Sequence, residues 1–281
     1  MKQFLSVLRP HHWSKNSIAL AGFIIALVMF QNTLTFGLIK DIILLLITLG
    51  LISSGNYIMN DVLDKEKDLK HPLKKTRIIA SGKLSNGNAV IIILSLYIIS
   101  FVVSAFAFNL VINIGLIIFL LQAISYNILP MRFKDIAFLD VISESFNSPI
   151  RFYLGWTLVL SSFPPLIFLF LAWTYTGVLM ASKRLAEFRF LGDKAKEYRK
   201  IFYTYTEKSL KSSIIIYIIL TIGIVAFIAN YIITIMLLIQ LIWYYKLADK
   251  GSKAVQKPVY IYKDKLFTIY SFLILIIMIY S

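Results

Sequence analysis

Apolar residues run along this chain in long blocks rather than in alternation, and several blocks approach 20 residues, the length a helix needs to cross a hydrocarbon core. Reading the blocks between their breaks predicts nine helices, at about 17–35, 41–60, 88–107, 110–128, 137–158, 164–182, 212–229, 231–247 and 265–281. The apolar stretch 212–247 is too long for one span, and Asn230 in "FIANY" supplies a turn that divides it. The connections on one side are short ("NTLTF", "FNL", "SSFPP", "ANY"), whereas two on the other side, 61–87 and 183–211, are long. Long connections in a compact protein tend to be functional, so the chemistry is expected on their side.

Composition agrees with the pattern. Of 281 residues 59% are hydrophobic and only 15% charged, against roughly 25% charged in soluble domains. The pattern and composition together predict an all-α polytopic membrane protein, organised as a single domain over 1–281. The opening "MKQFLSVLRPHHWSKN" carries only a short apolar stretch, Phe4, Leu5, Val7 and Leu8, before Arg9, Pro10 and two histidines, so no cleavable signal is expected. The absence of cysteine excludes disulfides, thiolate chemistry and cysteine-ligated metals.

The formal net charge of +15 would suit nucleic acid, but its distribution points elsewhere. With nine spans, 27 of the 29 lysines and arginines fall on the side of the long loops; Lys40 lies opposite and Arg151 lies inside a span. That is the positive-inside pattern. It predicts an integral protein of the plasma membrane, with the N-terminus inside, the C-terminus outside and the active site at the cytoplasmic face. No recognition motif accompanies the charge, so no nucleic acid partner is expected.

Two polar constellations break the apolar pattern. In "SSGNYIMNDVLDKEKDLKHPLKKTR", Asp61, Asp64 and Asp68 stand at i, i+3 and i+7, on one face if the helix continues. Two carboxylates about 6 Å apart repel by roughly 3 kcal/mol at an effective dielectric near 20, so the group needs counter-charge. A divalent cation such as Mg²⁺, which is held by one or two carboxylates plus substrate phosphates, meets that need; a solvated loop of alternating acids and lysines is the other reading. In "KDIAFLDVISESFNSPIRFYLGW", Asp140, Glu144, Asn147 and Arg151 recur at i, i+4, i+7 and i+11 and would share a face within an apolar span. Charges there cost roughly 2.5–3.5 kcal/mol each on insertion scales, so they face a bundle interior or a wet cavity, either as an interhelical salt bridge or as part of a diphosphate–metal site. Lys74, Lys75 and Arg77 would balance phosphate charge.

At these residues the sequence resembles the UbiA-type intramembrane prenyltransferases. "NDVLDKEKD", from Asn60 to Asp68, matches their N-D-x-x-D-x-x-x-D motif, and "HPLKKTRIIASGKLS" is similar to the loop that follows it, without the proline usual after the arginine. Further segments resemble the decaprenyl-phosphate phosphoribosyltransferase branch: "LRPHHWSKN" with Lys15, "FKDIAFLDV" with Lys134 and Asp140, Arg151 later in the same segment, and "SKRLAEF" with Lys183 and Arg184. "KPVYIYKDKLF" is similar to a loop before the last helix, with Lys265 in place of an arginine. Glu144 stands where other branches carry an aspartate.

The resemblance implies about nine helices around a central cavity opening to the cytoplasmic side. It implies Mg²⁺ as cofactor, held by Asp61, Asp64 and Asp68, and a phosphorylated donor, phosphoribosyl pyrophosphate. The acceptor would be a membrane lipid, a polyprenyl phosphate. Asp61, Asp64 and Asp140 would serve catalysis, and Lys15, Asn60, Lys75, Arg77, Lys134, Glu144, Arg151, Lys183 and Arg184 would bind substrate. Prenyl transfer from a polyprenyl diphosphate to an aromatic or glycerol-type acceptor would use the same acids. A transporter would also place acids in helices, but neither internal repeats nor matched helix interruptions stand out. Trp13 and Trp243 are assigned to the cytoplasmic interface and Trp156 to the outer one, with Trp173 as a candidate wall of an isoprenoid groove.

Overall fold

In a computed structural model of the chain, residues 7–256, 260–261 and 264–280 are described; Lys2, Ser281 and most of the 257–263 segment assigned to the loop before the last helix lie outside them. Among the described residues the regular structure is helical. A 3₁₀ segment, Pro10–Asn16, leads into α1 (Ser17–Met29), followed by α2 (Phe36–Leu63), α3 (Lys65–Lys70), α4 (Asn86–Ala107), α5 (Leu110–Asn127), α6 (Leu139–Ser145) and α7 (Asn147–Thr157). Then come α8 (Leu166–Leu191), α9 (Ala195–Tyr198), α10 (Glu207–Ile228), α11 (Tyr231–Asp249), α12 (Lys253–Gln256) and α13 (Lys265–Tyr280). The starts are set by capping side chains: Thr35, Ser85, Asn109 and Asn230 each accept a backbone N–H three residues on, and Thr206 with Ser209 forms a reciprocal box. Asn230 is thus the N-cap of α11, at the turn expected between the two spans.

Among the described residues seven helical stretches are long and apolar enough to cross a membrane: Pro10–Met29, Phe36–Leu63, Asn86–Ala107, Leu110–Asn127, Leu166–Tyr198, Glu207–Ile228 and Tyr231–Asp249. Two of the nine expected spans are not among these described stretches. The stretch 137–158 is two short helices meeting at Phe146. Pro149 has no N–H to give the Ser145 carbonyl, and its ring crowds that carbonyl, so one continuous helix is lost there. The last helix, α13, has 16 described residues, Lys265–Tyr280.

The chain packs as two compact units, residues 1–133 with 147–165, and residues 134–146 with 166–281. In the first, α2 packs along α4, α1 along α7, and α5 against α7 and α2. Its core gathers Phe23, Leu45, Leu49, Leu116, Phe119 and Leu154. The α1–α7 crossing is closed by glycines: a Cβ on Gly22 would lie 2.1 Å from the Phe152 carbonyl oxygen, and one on Gly155 1.8 Å from that of Ala19. Small residues at such crossings let backbones touch, which is how membrane helices associate without a hydrophobic driving force between them. In the second unit α8 is central, packing on α10, α11, α6 and α12 around Val178, Leu185, Leu210, Ile214 and Tyr244.

Trp156 is fully buried in the first unit, with its indole N–H on the Ser162 carbonyl, so it is a core residue rather than an anchor facing lipid. Trp173 packs edge-on to Tyr217 in the second.

Candidate functional site

The helix carrying the first acidic motif does not run straight through it. α2 ends at Leu63 and Asp64 is its C-cap (φ −107°, ψ 9°); the chain resumes in α3, with the Asp68 N–H on the Asp64 carbonyl at 2.8 Å. The break is slight enough that the aspartates stay together. Asp61 and Asp68 are buried and Asp64 is partly so.

Each is met by arginine from a different part of the first unit. Arg9 binds one oxygen of Asp61. Arg77 places Nη1 2.9 Å from Oδ1 of Asp61 and 2.6 Å from Oδ2 of Asp68. Arg132 donates Nη2 to Asp64 at 2.8 Å and Nη1 to the Asn127 carbonyl. Arg9 and Arg132 were not foreseen as site residues. Both reach the acids through left-handed backbone, φ 50° and φ 34°, a conformation that costs roughly 1–3 kcal/mol for a non-glycine residue and clusters at functional sites. No local periodicity announces such an approach; the only sequence signal was Arg9 immediately before Pro10, where right-handed helix is disfavoured.

Burial pushes the Asp68 carboxyl above the ordinary range, with the Arg77 and Lys74 charges pulling against it. Burial also draws the Arg9 guanidinium down, opposed by the charge of Asp61. Both shifts report groups withdrawn from water and compensated by an opposite charge, Arg77 for Asp68 and Asp61 for Arg9.

Among the described residues no three histidine or acidic side chains are gathered closely enough to hold a metal by themselves. The donors nevertheless fit one. A single cationic nitrogen of Arg77 lies within hydrogen-bond distance of carboxylate oxygens from both Asp61 and Asp68, so two hard oxygen donors already converge on one point of positive charge. Two carboxylates with room for water and phosphate oxygens suit Mg²⁺.

Around this cluster, Asn60 accepts the Asp64 N–H, Lys75 is exposed on the following loop, and the Lys15 ammonium sits 5.8 Å from the Tyr57 ring centroid. Arg151 belongs to the same unit as this cluster, whereas Asp140, before the Phe146 junction, belongs to the second. Arg151 is buried, donating Nε to Asn16 at 2.9 Å, with its guanidinium 4.7 Å from the Phe119 ring centroid.

The second unit has its own acidic centre. Asp140 is completely enclosed; Arg184 donates Nε to its Oδ2 at 2.5 Å and the Tyr205 hydroxyl donates to its Oδ1 at 2.7 Å. The same tyrosine oxygen accepts the N–H of Phe138, whose φ of 66° starts α6. Arg184 also faces Glu187 at 3.6 Å, and Arg199 approaches Glu187 at 2.9 Å. Burial and the charge of Asp140 hold the Tyr205 phenol far above its ordinary range. Lys134 is buried, and Lys183 and Glu144 are half-buried in this unit.

With this geometry, comparison with known proteins is informative. Residues 17–272 match the model of the UbiA prenyltransferase family. The uncharacterized protein y4nM of Sinorhizobium fredii is 29% identical over 196 residues, 67% of this chain and 35% of the relative, so the chain spans about a third of that relative's length. The decaprenyl-phosphate phosphoribosyltransferase of Mycobacterium tuberculosis is 32% identical over 78 residues, 28% of this chain and 26% of the enzyme. The digeranylgeranylglyceryl phosphate synthase of Saccharolobus solfataricus is 32% identical over 124 residues, 42% and 41%. A UbiA homologue from Archaeoglobus fulgidus, solved with GPP and Mg²⁺ bound, superposes with a TM-score of 0.71 at 17% identity, covering 97% of this chain and 99% of that one. At that identity the likeness shows the fold.

Proposed function

The chain belongs to the UbiA prenyltransferase family, and on that premise we propose that it transfers a 5-phosphoribosyl group from phosphoribosyl pyrophosphate to a membrane polyprenyl phosphate, releasing pyrophosphate. The observation that carries the proposal is the interleaving of Asp61, Asp64 and Asp68 with Arg9, Arg77 and Arg132. Such a cluster can exchange its internal pairs for a metal on the acids and phosphate oxygens on the arginines with little change in net charge. Guanidinium groups suit this exchange because their fork matches phosphate oxygens in pairs.

In this reading Asp61, Asp64 and Asp68 would hold Mg²⁺, and Arg77 would turn from carboxylate to diphosphate. Bound Mg²⁺ would supply charge neutralisation for the departing pyrophosphate. The bond from ribose C1 to the pyrophosphate oxygen breaks and one from C1 to the lipid phosphate oxygen forms. The lipid phosphate is already anionic, so no general base is required. Asp140, paired with Arg184 and Tyr205 inside the second unit, is assigned to holding that unit's polar centre rather than to the reacting atoms. The site is placed at the cytoplasmic face of the plasma membrane, N-terminus inside.

A second reading, prenyl transfer from a polyprenyl diphosphate to an aromatic or glycerol-type acceptor, is favoured by GPP in the A. fulgidus homologue and by the S. solfataricus relative. The phosphoribosyl reading is supported by the segments around Lys15 and Lys183 and by the M. tuberculosis relative. The test offers purified protein with Mg²⁺ either labelled phosphoribosyl pyrophosphate plus a polyprenyl phosphate, or a polyprenyl diphosphate plus an acceptor panel. Label passing from the ribosyl donor into the organic phase is the expected result. Transfer only from the prenyl donor overturns the first reading in favour of the second.

A further inference from the structure

One stripe of α2 continues from the acidic cluster into the apolar part of the helix. Ile43, Leu46, Ile47, Gly50, Ser54, Tyr57 and Asp61 follow spacings of three, one, three, four, three and four. At 100° per residue they lie within about 60° of one line, and at 1.5 Å per residue the line is about 27 Å long, close to the thickness of a hydrocarbon core.

The N-terminal segment lies along this stripe. Arg9 holds Asp61, and the rings of His12 and Tyr57 have centroids 5.0 Å apart. The Trp13 indole N–H donates to Ser54 at 3.0 Å, and the Ser54 hydroxyl donates to the Leu8 carbonyl at 2.7 Å. Gly50 is required beneath that indole, because a Cβ there would fall 2.6 Å from the ring. Beyond Trp13 the two elements separate. An open groove of about 360 Å³ runs between α1 and α2, lined by Trp13, Ser14, Ser17 and Leu20 on one side and Ile43, Leu46 and Ile47 on the other. Leu20, Ile43 and Ile47 are exposed, on two helical stretches long and apolar enough to cross a membrane.

The seam thus has two chemically different ends. At one, Arg9, His12 and Lys15 surround Tyr57 beside Asp61. At the other, the walls are the aliphatic Leu20, Ile43, Leu46 and Ile47. We infer that this groove seats the isoprenoid chain of the lipid acceptor, with the anionic headgroup at Arg9 and Lys15 and the chain running past Trp13 between α1 and α2. Charge complementarity at the head and continuity of one helix face with the acidic cluster single out a phosphorylated lipid rather than a bulk one. The inference rests on the proposed acceptor chemistry, and its test does not depend on turnover.

Wild-type protein in lipid nanodiscs is photolabelled with a polyprenyl phosphate carrying a diazirine on its chain. Label is expected on the peptides containing Leu20 and Ile43–Ile47, and Ile47→Trp or Leu20→Trp, which fill the groove from an exposed position, should reduce it at least tenfold. In the transfer assay the same variants should raise KM for a long-chain acceptor about tenfold and leave a short-chain polyprenyl phosphate unaffected. The inference is overturned by label confined to other peptides, or by a photoreactive phosphatidylcholine labelling the groove as strongly. Equal losses with long and short acceptors overturn it too. Groove labelling without phosphoribosyl transfer would remove the proposed donor and leave the groove assignment standing; transfer without groove labelling would do the reverse.

Discussion

The two acidic centres differ chiefly in how far they are closed off from water. Asp140 and Arg184 have side chains 0% and 2% exposed, while Arg77, which bridges Asp61 and Asp68, is 25% exposed. Asp140 is fixed through two rigid neighbours, Arg184 in the middle of the α8 packing and Tyr205 on the loop ahead of α10. The acids of the first unit are instead met by arginines arriving on loops and turns. A carboxylate whose partner reaches solvent can trade it for a ligand at modest cost. A sealed pair can do so only by opening its surroundings, because each ion withdrawn from water carries a penalty of several kcal/mol.

The sharpest way to break that comparison is to unpair the sealed centre. Arg184→Met should leave Asp140 buried without its cationic partner and cost about 3–5 kcal/mol of stability, read as a large fall in thermal-melting temperature in detergent. Adding Asp140→Leu should recover much of the loss, since an apolar pair of similar volume removes both desolvated charges. If Arg184→Met melts like wild type but has no turnover, Asp140 and Arg184 belong with the exchangeable acids and the distinction drawn here fails.

The complementary substitution is Asp61→Ala, which should lower Mg²⁺-dependent kcat/KM by about 10²–10³-fold, about 2.7–4 kcal/mol, while the protein still inserts and elutes as a single species. Asp64→Ala should act in the same direction. Wild-type turnover by either variant would remove the metal assignment.

Much of this contrast was open to sequence reasoning, but unevenly. The N-D-x-x-D-x-x-x-D run named the three acids and the following loop named Arg77, because both lie within one short stretch whose spacing the helix period constrains. Arg9 and Arg132 reach the same acids from 52 and 68 residues away, through backbone that no periodicity describes. The row Asp140, Glu144, Asn147, Arg151 assumes one helix; the chain instead divides at Phe146 into α6 and α7, with the first two residues in one unit and the last two in the other, and Pro149 was the sequence signal for that division. Trp156 was placed at an interface from its position in the chain, yet it is buried against Phe152 and Phe30. Hydropathy reports which side chains avoid water, and it cannot separate those that meet lipid from those that meet protein.

Tyr205→Phe probes the sealed centre more gently. It removes one hydrogen bond to the Asp140 carboxylate oxygen, worth about 1.5–3 kcal/mol for a bond to a charged group, while keeping the ring that packs on Phe138. The phenol's affinity for its proton is raised in the folded state, chiefly by burial and then by the charge of Asp140. A raised value stabilises the fold below the ordinary tyrosine range near pH 10, and that contribution is lost as pH climbs from there toward the folded-state value. Wild type should therefore lose melting temperature above pH 10 more steeply than Tyr205→Phe. Parallel curves would mean that folding does not raise the phenol's affinity for its proton.

The smallest effect belongs to a third polar cluster, which sets the open end of the same scale. Arg189 lies 2.7 Å from Glu207 and 3.0 Å from Asp249, and Lys211 lies 2.9 and 3.1 Å from the same two acids, tying the ends of α8, α10 and α11. Four close pairs look substantial, but the side chains are 29–40% exposed, so water and salt screen them and ordering long side chains offsets the gain. Glu207→Gln should cost about 0.2–1 kcal/mol, and the difference from wild type should vanish between low salt and 1 M salt, where the screening length falls to about 3 Å. Arg184→Met measured in the same salt series should change little, because no ions enter its surroundings. If both variants respond equally to salt, exposure does not separate these clusters, and the case for treating the Asp61 centre as exchangeable and the Asp140 centre as fixed would have to rest on something other than access to water.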